Sequence, residues 1–524
     1  MEVPTKTELV DVYPDDALET QTSRWGQLLR QFKETYGQPA SFVSRSPGRV
    51  NIIGEHIDYS LYEVIPMAVT ADVLLAVRVH EKESGPSTIR IANVHPHKFE
   101  SREFRISDTG HVEIDSTKLE WTNYFKSGLV GATELLKKQI PNFKSSIGMD
   151  ILADGTVPTG GGLSSSAAFV CASALAVMRA NGANIIDKKQ LTEVAIVAER
   201  NVGVNSGGMD QAASVFPTQG SALYVSFVPQ LSAKNIAFPE LKKPMTFVIA
   251  QSFVAADKHV TAPICYNLRV VECTLAALVL HKVFGLKAPL KADAGPLGVS
   301  LRGFHDSYFE EKEDISNNHT TSPEKFQEQL QDLVAKVDHY LHQEDGYTRQ
   351  QLSDILGISI NEIEQKYMQK FPVRGEKFKI RQRALHVFSE AIRVLKFKAL
   401  LDAPPPADEK ESEQVLKDLG ELLNTTQESC REIYENSCAE LDELCTLARS
   451  AGAYGSRLTG AGWGGCSVHL VPSDKVEDVK QKWISEYYKK NFPDITDEKL
   501  GEAIVVSKPG SGSCVFETKG RESL

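Results

Sequence analysis

The chain has no apolar run long enough to cross a bilayer, no C-x-x-C pair and no surplus of basic residues. The first absence argues against a membrane-spanning protein. The second, with no paired-histidine spacing near any of the eight cysteines, argues against a zinc finger or a dithiol redox centre, so reduced thiols are expected. Cys171 and Cys466, each set in apolar sequence, read as small core residues. The third absence is quantitative: 58 Lys and Arg against 69 Asp and Glu leave a net charge of -11 over 524 residues. That balance offers no footprint for nucleic acid or an anionic membrane, and an anionic ligand must be met by positive groups gathered locally. Met1–Glu19 is acidic and polar, without the apolar core of a secretion signal, which sets the expectation of a cytoplasmic protein. Internal repeats and the G-x-x-x-x-G-K-[ST] phosphate loop are also missing.

What is present is an ordinary globular composition, 41% hydrophobic and 24% charged, in a chain long enough for two or more lobes. Segments rich in β-branched residues and bounded by Gly, Pro or Asp predict strands at Phe42–Ser44, Val73–His80, Thr88–Val94, Met149–Leu152 and Met245–Gln251. Helices are predicted near Thr22–Thr35 and Asn123–Lys138, from the serines at 164–166 to Asn181-Gly182, and over Tyr266–Val283. The mixture predicts an α+β fold of two lobes with mixed sheets. The expected division is a tail at 1–21, an N-terminal lobe at 22–230 and a C-terminal lobe at 231–524 carrying a polar, largely helical insertion at about 303–374. In that insertion Ser322-Pro323-Glu324 is a helix start, and Phe326, Leu330, Leu333, Val337 and Leu341 form an apolar stripe that reads as packing. The Pro-rich, charged stretch Asp402–Gln414 reads as a surface loop or short linker.

Three segments look chemical. In Pro158-Thr-Gly-Gly-Gly-Leu-Ser-Ser-Ser-Ala-Ala-Phe169, glycines that let a backbone approach a ligand give way to hydroxyls and then to a helix whose first turn offers free N–H groups. That pattern suits an anion such as a phosphate; it also suits a turn that simply starts a core helix. In Ser46-Pro-Gly-Arg-Val-Asn-Ile-Ile-Gly-Glu-His-Ile-Asp58, a Pro-Gly turn and a second glycine bracket Arg49, with Glu55, His56 and Asp58 close behind. This concentrates donors and acceptors able to grip a polyol, though Glu and His could equally cap a turn. Leu458-Thr-Gly-Ala-Gly-Trp-Gly-Gly-Cys466 sets four glycines around one aromatic and leads into a strand, which makes a dinucleotide reading weak.

Together the three segments resemble the signature motifs of the GHMP small-molecule kinases, the superfamily of galactokinase, homoserine kinase, mevalonate kinase and phosphomevalonate kinase. Arg-Val-Asn-Ile-Ile-Gly-Glu-His-Ile-Asp-Tyr, Arg49 to Tyr59, is similar to the galactokinase-family signature almost residue for residue. The resemblance covers nearly the whole chain after Thr22 and is strongest with the fungal members and the related N-acetylgalactosamine kinases. It implies a two-lobed kinase using ATP and Mg2+, with the site in the cleft between the lobes. Sugar contacts are implied at Arg49, Glu55, His56, Asp58, Gly207, Asp210 and Tyr266, the last within Ala262-Pro-Ile-Cys-Tyr-Asn-Leu-Arg269. ATP contacts are implied at Gly160, Gly162, Ser164 and Ser165, with Ala256, Asp257 and Lys258 as further candidates. In Glu199-Arg-Asn-Val-Gly-Val-Asn-Ser-Gly-Gly-Met-Asp-Gln211, Glu199 matches the magnesium carboxylate, with Ser165 or Ser166 as its hydroxyl partner, and Asp210 matches the proposed base beside Arg49.

The implied reaction is phosphorylation of the C1 hydroxyl of galactose, the entry step of galactose breakdown. It needs an anomeric hydroxyl held in line with the γ-phosphorus while charge on the phosphoryl oxygens is absorbed. Acceptors suited to an axial C4 hydroxyl should make glucose a poor substrate, whereas room for a C2 acetamido group is not legible in sequence. Some fungal relatives act as galactose sensors that bind a transcriptional repressor. Sensors without catalysis are shortened within the serine stretch, whereas Ser164 to Ala168 is full length here, so an enzyme is expected.

Overall fold

The computed structural model describes residues 1–519 apart from 82–84, 116–119, 159–161, 201–206, 243, 255–260 and 316–317. The larger sheet is assembled from β1 (Thr5–Lys6), β2 (Phe42–Ile53), β3 (Ile65–Val79), β4 (Ser87–Asn93), β5 (Arg102–Ile106), β6 (Met149–Gly155) and a final strand, Cys514–Glu517. Their order is β1, the final strand, β2, β3, β6, β4, β5, so the last strand of the chain lies between two of the first. Alternation along the strands sorts the two faces. Leu74, Ala76 and Leu152 face helix α1 (Leu18–Tyr36) through Leu28, Leu29 and Phe32. Leu75, Val77 and Ile151 face the opposite core, which contains α2 (Thr122–Gln139), α3 (Ser165–Ala180) and α4 (Lys188–Arg200).

The short helix α5 (Met209–Val215) packs on β2, and β7 (Ser221–Ser226) pairs with β8 (Ser232–Ala237). β9 (Met245–Gln251) and α6 (Tyr266–Val283) have the bounds the sequence predicts. The mixed sheets and helices make the α+β class plain. A second, four-stranded sheet joins β9 to β10 (Gly455–Thr459), β11 (Cys466–Pro472) and β12 (Ile504–Ser507) in the order β10-β11-β9-β12. The final strand of the larger sheet is β13 (Cys514–Glu517).

Two expectations change and one holds. Residues 1–21 are packed, not a free tail: Tyr13 is buried, its hydroxyl donates to Asp72 over 2.6 Å, and Arg24 and Arg45 converge on the same carboxylate at 2.6 Å each. Ser46–Ile53, expected as a loop around a Pro-Gly turn, continues β2; a register shift between Pro47 and Arg49 lets the strand absorb the proline that cannot donate to the ladder. In the stretch Asp402–Gln414 the Pro-rich part, Ala403–Asp408, is the expected short surface linker, set between two helices. α7 (Leu301–Glu313), α8 (Pro323–Tyr340) and α9 (Ile380–Asp402) precede it, and α10 (Glu409–Ser429) begins where the Asp408 carboxylate accepts the Glu411 N–H. In the helical insertion Leu330, Leu333, Val337 and Leu341 are buried as the stripe requires, and α8 packs on α9. His305 of α7 accepts from the Tyr62 hydroxyl at 2.9 Å, so the insertion buttresses the chain just past the Asp58 motif. No helix among the described residues is long and apolar enough to cross a membrane.

Candidate active site

The register shift in β2 turns Arg49 toward two other segments. Its Nε donates to Asp210 Oδ1 over 2.8 Å, and its Nη1 donates to the carbonyl of Gly162 over 2.6 Å. Ser164 stands at the head of α3 with φ 57°, a left-handed conformation uncommon outside glycine. That turn aims its hydroxyl at Asp210 Oδ2, to which it donates over 2.5 Å. Both oxygens of Asp210 are therefore oriented, one from each of the first two motifs. Gly207 supplies the space beside a second carboxylate, that of Asp58, because a Cβ there would lie 2.4 Å from Asp58 Oδ2. Burial, and after it the charge of Asp210, pushes the Asp58 carboxyl up to about 7.

The glycine-rich loop between β10 and β11 closes against the phosphate-type loop. A Cβ on Gly460 would lie 2.7 Å from the Gly162 carbonyl, and its φ of 84° already favours glycine. His56 ties the sugar-type motif to the same loop. Its Nε2 meets the Ala461 carbonyl at 2.8 Å, and since a carbonyl only accepts, Nε2 carries the proton. Nδ1 must then accept from the Tyr59 hydroxyl at 2.8 Å; Tyr59 in turn bonds Tyr434. Burial holds His56 down at about 3, so the ring stays neutral. Tyr266, at the start of α6, lies 5.6 Å from the His56 ring centre and 5.7 Å from that of Tyr59, and Trp463 meets His56 edge-on at 5.6 Å.

Glu55 is buried, with one carboxylate oxygen accepting from Arg457 and from the Gly460 N–H at 3.1 Å. Glu199 lies buried near the end of α4, where Gln211 donates to one of its oxygens. Ser165 and Ser166 are half-exposed in the first turn of α3. No group of three His, Cys, Asp or Glu side chains among the described residues could hold a metal by itself. One carboxylate and one hydroxyl nonetheless suit Mg2+, a hard cation that keeps several waters and phosphate oxygens. Gly160, Ala256, Asp257 and Lys258 lie outside the described residues.

The structure thus gathers Arg49, Gly162, Ser164, Gly207, Asp58 and Asp210, with Glu55, His56 and Tyr266 behind them. Sequence reasoning missed Arg457, Glu390, His386 and Tyr434. A signal existed for two of them: Arg383, His386, Glu390 and Arg393 recur every three or four residues, a polar stripe on one face of α9. Such a stripe reads as a solvated face by default, but all four are buried.

Residues 30–79 match the galactokinase galactose-binding signature, residues 123–218 the N-terminal domain of GHMP kinases and residues 410–490 their C-terminal domain. A galactokinase of Saccharomyces cerevisiae is 44% identical over 503 residues, spanning 94% of this chain and 94% of the relative. A galactokinase of Candida albicans is 41% identical over 526 residues, spanning 99% of each. Among solved structures, Lactococcus lactis galactokinase complexed with galactose is similar with a TM-score of 0.63, covering 94% of this chain and 99% of that one at 22% identity, a likeness that speaks for the fold.

Proposed function

The chain belongs to the galactokinase family of GHMP kinases, and we propose that it transfers the γ-phosphoryl group of ATP to the C1 hydroxyl of α-D-galactose, giving galactose 1-phosphate. The observation that carries this reading is the Asp210 carboxylate, held on one oxygen by Arg49 and on the other by Ser164, beside Asp58.

Asp210 takes the C1 hydroxyl proton as the O–P bond forms, at the oxygen that Ser164 orients. Arg49 keeps the carboxylate charged and offers positive charge to the transferring group. Because phosphoryl transfer passes through a loose transition state, most of the acceleration comes from positioning. The N-terminal turn of α3, with Gly162 and Ser165, cradles phosphate oxygens. Asp58, Glu55 and Tyr266 line the galactose side, where acceptors set for an axial C4 hydroxyl reject glucose. Glu199 and Ser165 or Ser166 would hold Mg2+, which would neutralise charge on the phosphates. The test is ATP- and magnesium-dependent phosphorylation of galactose, N-acetylgalactosamine and glucose, with NMR assignment of the phosphorylated position. Galactose 1-phosphate from the wild type and a loss of at least about a hundredfold in Asp210→Asn are expected for a general base. Binding of sugar and ATP without turnover would refute the reading in favour of a sensor.

A further inference from the structure

Strand β2 ends within the sugar-type motif in a bend at Gly54, whose φ is 105° and where a Cβ would lie 2.8 Å from the Val64 side chain. A strand that bends leaves N–H and C=O groups without ladder partners, and buried ones must find others. Here five are met by three side chains from the C-terminal half. Arg457 Nη1 donates to the carbonyls of Asn51 and Ile52, each at 2.8 Å, while its Nη2 holds the Glu55 carboxylate. Glu390 Oε1 accepts the N–H of Gly54 at 2.8 Å and of Glu55 at 3.0 Å. His386 Nε2 donates to the Glu55 carbonyl at 2.9 Å, and its Nδ1 accepts from Ser429 at 2.8 Å.

All three side chains are fully buried. Glu390 is itself fixed, its other oxygen accepting from Arg393 at 2.7 Å and Thr426 at 2.8 Å. Burial alone would push Glu390 up, but Arg393, His386 and Arg457 outweigh it and hold the carboxyl at about 2. Buried charges are a poor source of stability, since well-packed apolar side chains of similar volume often do as well or better. What apolar side chains cannot do is satisfy five backbone groups of a bent strand and grip Glu55.

We propose that Glu390 and Arg457 are positioning residues of the sugar site: they fix the Asn51–Glu55 backbone, and with it the placement of Glu55, His56 and Asp58, before sugar arrives. This rests on the galactose reading above. It makes sugar affinity depend on α9 and β10, which belong to the other half of the chain, whereas the side chain that hydrogen-bonds Gly162 of the phosphate-type loop is Arg49, not Glu390 or Arg457.

Glu390→Gln keeps the shape but can no longer present acceptors to both sets of donors. Steady-state kinetics should show the KM for galactose raised about tenfold or more, the KM for ATP within about twofold and kcat within about threefold, the pattern of a misplaced binding group. Adding Arg393→Met, which removes the cation facing the new amide, should recover part of the galactose KM. Thr426→Val, which removes one donor to Glu390, should move the same parameter by about two- to threefold and is the deciding variant if Glu390→Gln does not fold. An unchanged galactose KM, or equal changes for galactose and ATP, would overturn the proposal. Wild-type protein that fails to phosphorylate galactose sinks the underlying reading instead, whereas active wild type with an unmoved variant sinks this inference alone.

Discussion

Asp58→Asn should stabilise the free protein, by an amount that grows with pH. The Asp58 carboxyl is buried among groups that disfavour its charge, and its pKa rises from 3.8 to about 7. A group raised in the folded state contributes stability that is fully present below its unfolded pKa and is lost as pH rises through the folded one. The window is therefore pH 3.8 to about 7. Three units at about 1.4 kcal/mol each give a cost of ionised Asp58 near 4 kcal/mol at pH 8, falling to under about 2 kcal/mol at pH 5. Because Asp210 shares the interaction, these are upper bounds, and a gain of about 2 to 4 kcal/mol at pH 8 is the expectation. Asparagine keeps the shape against Gly207, removes the charge and should weaken galactose binding, a trade of function for stability. The assay is urea unfolding of both proteins at pH 5 and pH 8, read as midpoint shifts at constant slope. A variant less stable at pH 8, or one that gains equally at both pH values, would refute the electrostatic reasoning.

Three further outcomes follow from the site. Ser164→Ala deletes the 2.5 Å bond to Asp210, and the loss of a charge-assisted bond predicts kcat lower by about ten- to a hundredfold with melting unchanged. Gly460→Ala drives a Cβ to 2.7 Å from the Gly162 carbonyl; kcat/KM for ATP should fall about tenfold, and an unaffected ATP dependence would mean the two loops do not act together. At His56, glutamine can reach the Ala461 carbonyl in place of Nε2 whereas asparagine cannot, so His56→Gln should retain more turnover than His56→Asn. The φ of 60° favours asparagine, and the opposite ranking would show that backbone strain outweighs the loop bond.

Much of the scaffold was legible because it is local. β9 and α6 follow from β-branched and apolar runs between clear breakers, and the serines open a helix because glycines before them and alanines after leave few alternatives. Pro47-Gly48 misled because local chemistry says turn, while two neighbouring strands and a register shift keep β2 extended. Roles implied for Arg49, Gly207 and Asp210 converge in space, whereas His56, read as a ligand group, spends both ring nitrogens inside the protein. Glu390 and Arg457 were invisible as parts of this region because their partners lie 336 and 402 residues away, a separation no periodicity reports.

β13 lies between β1 and β2, and Arg45 in β2 reaches the Ser511 carbonyl 466 residues further along the chain. During synthesis Arg49, Ser164 and Asp210 therefore leave the ribosome long before the strand that closes the sheet beside them. Until then the Phe42–Arg45 edge stands open, a template for pairing with any other nascent chain. A product cut short before residue 511 would carry Arg49, Ser164 and Asp210 intact and still lack a finished sheet, so those three residues alone do not make a folded site.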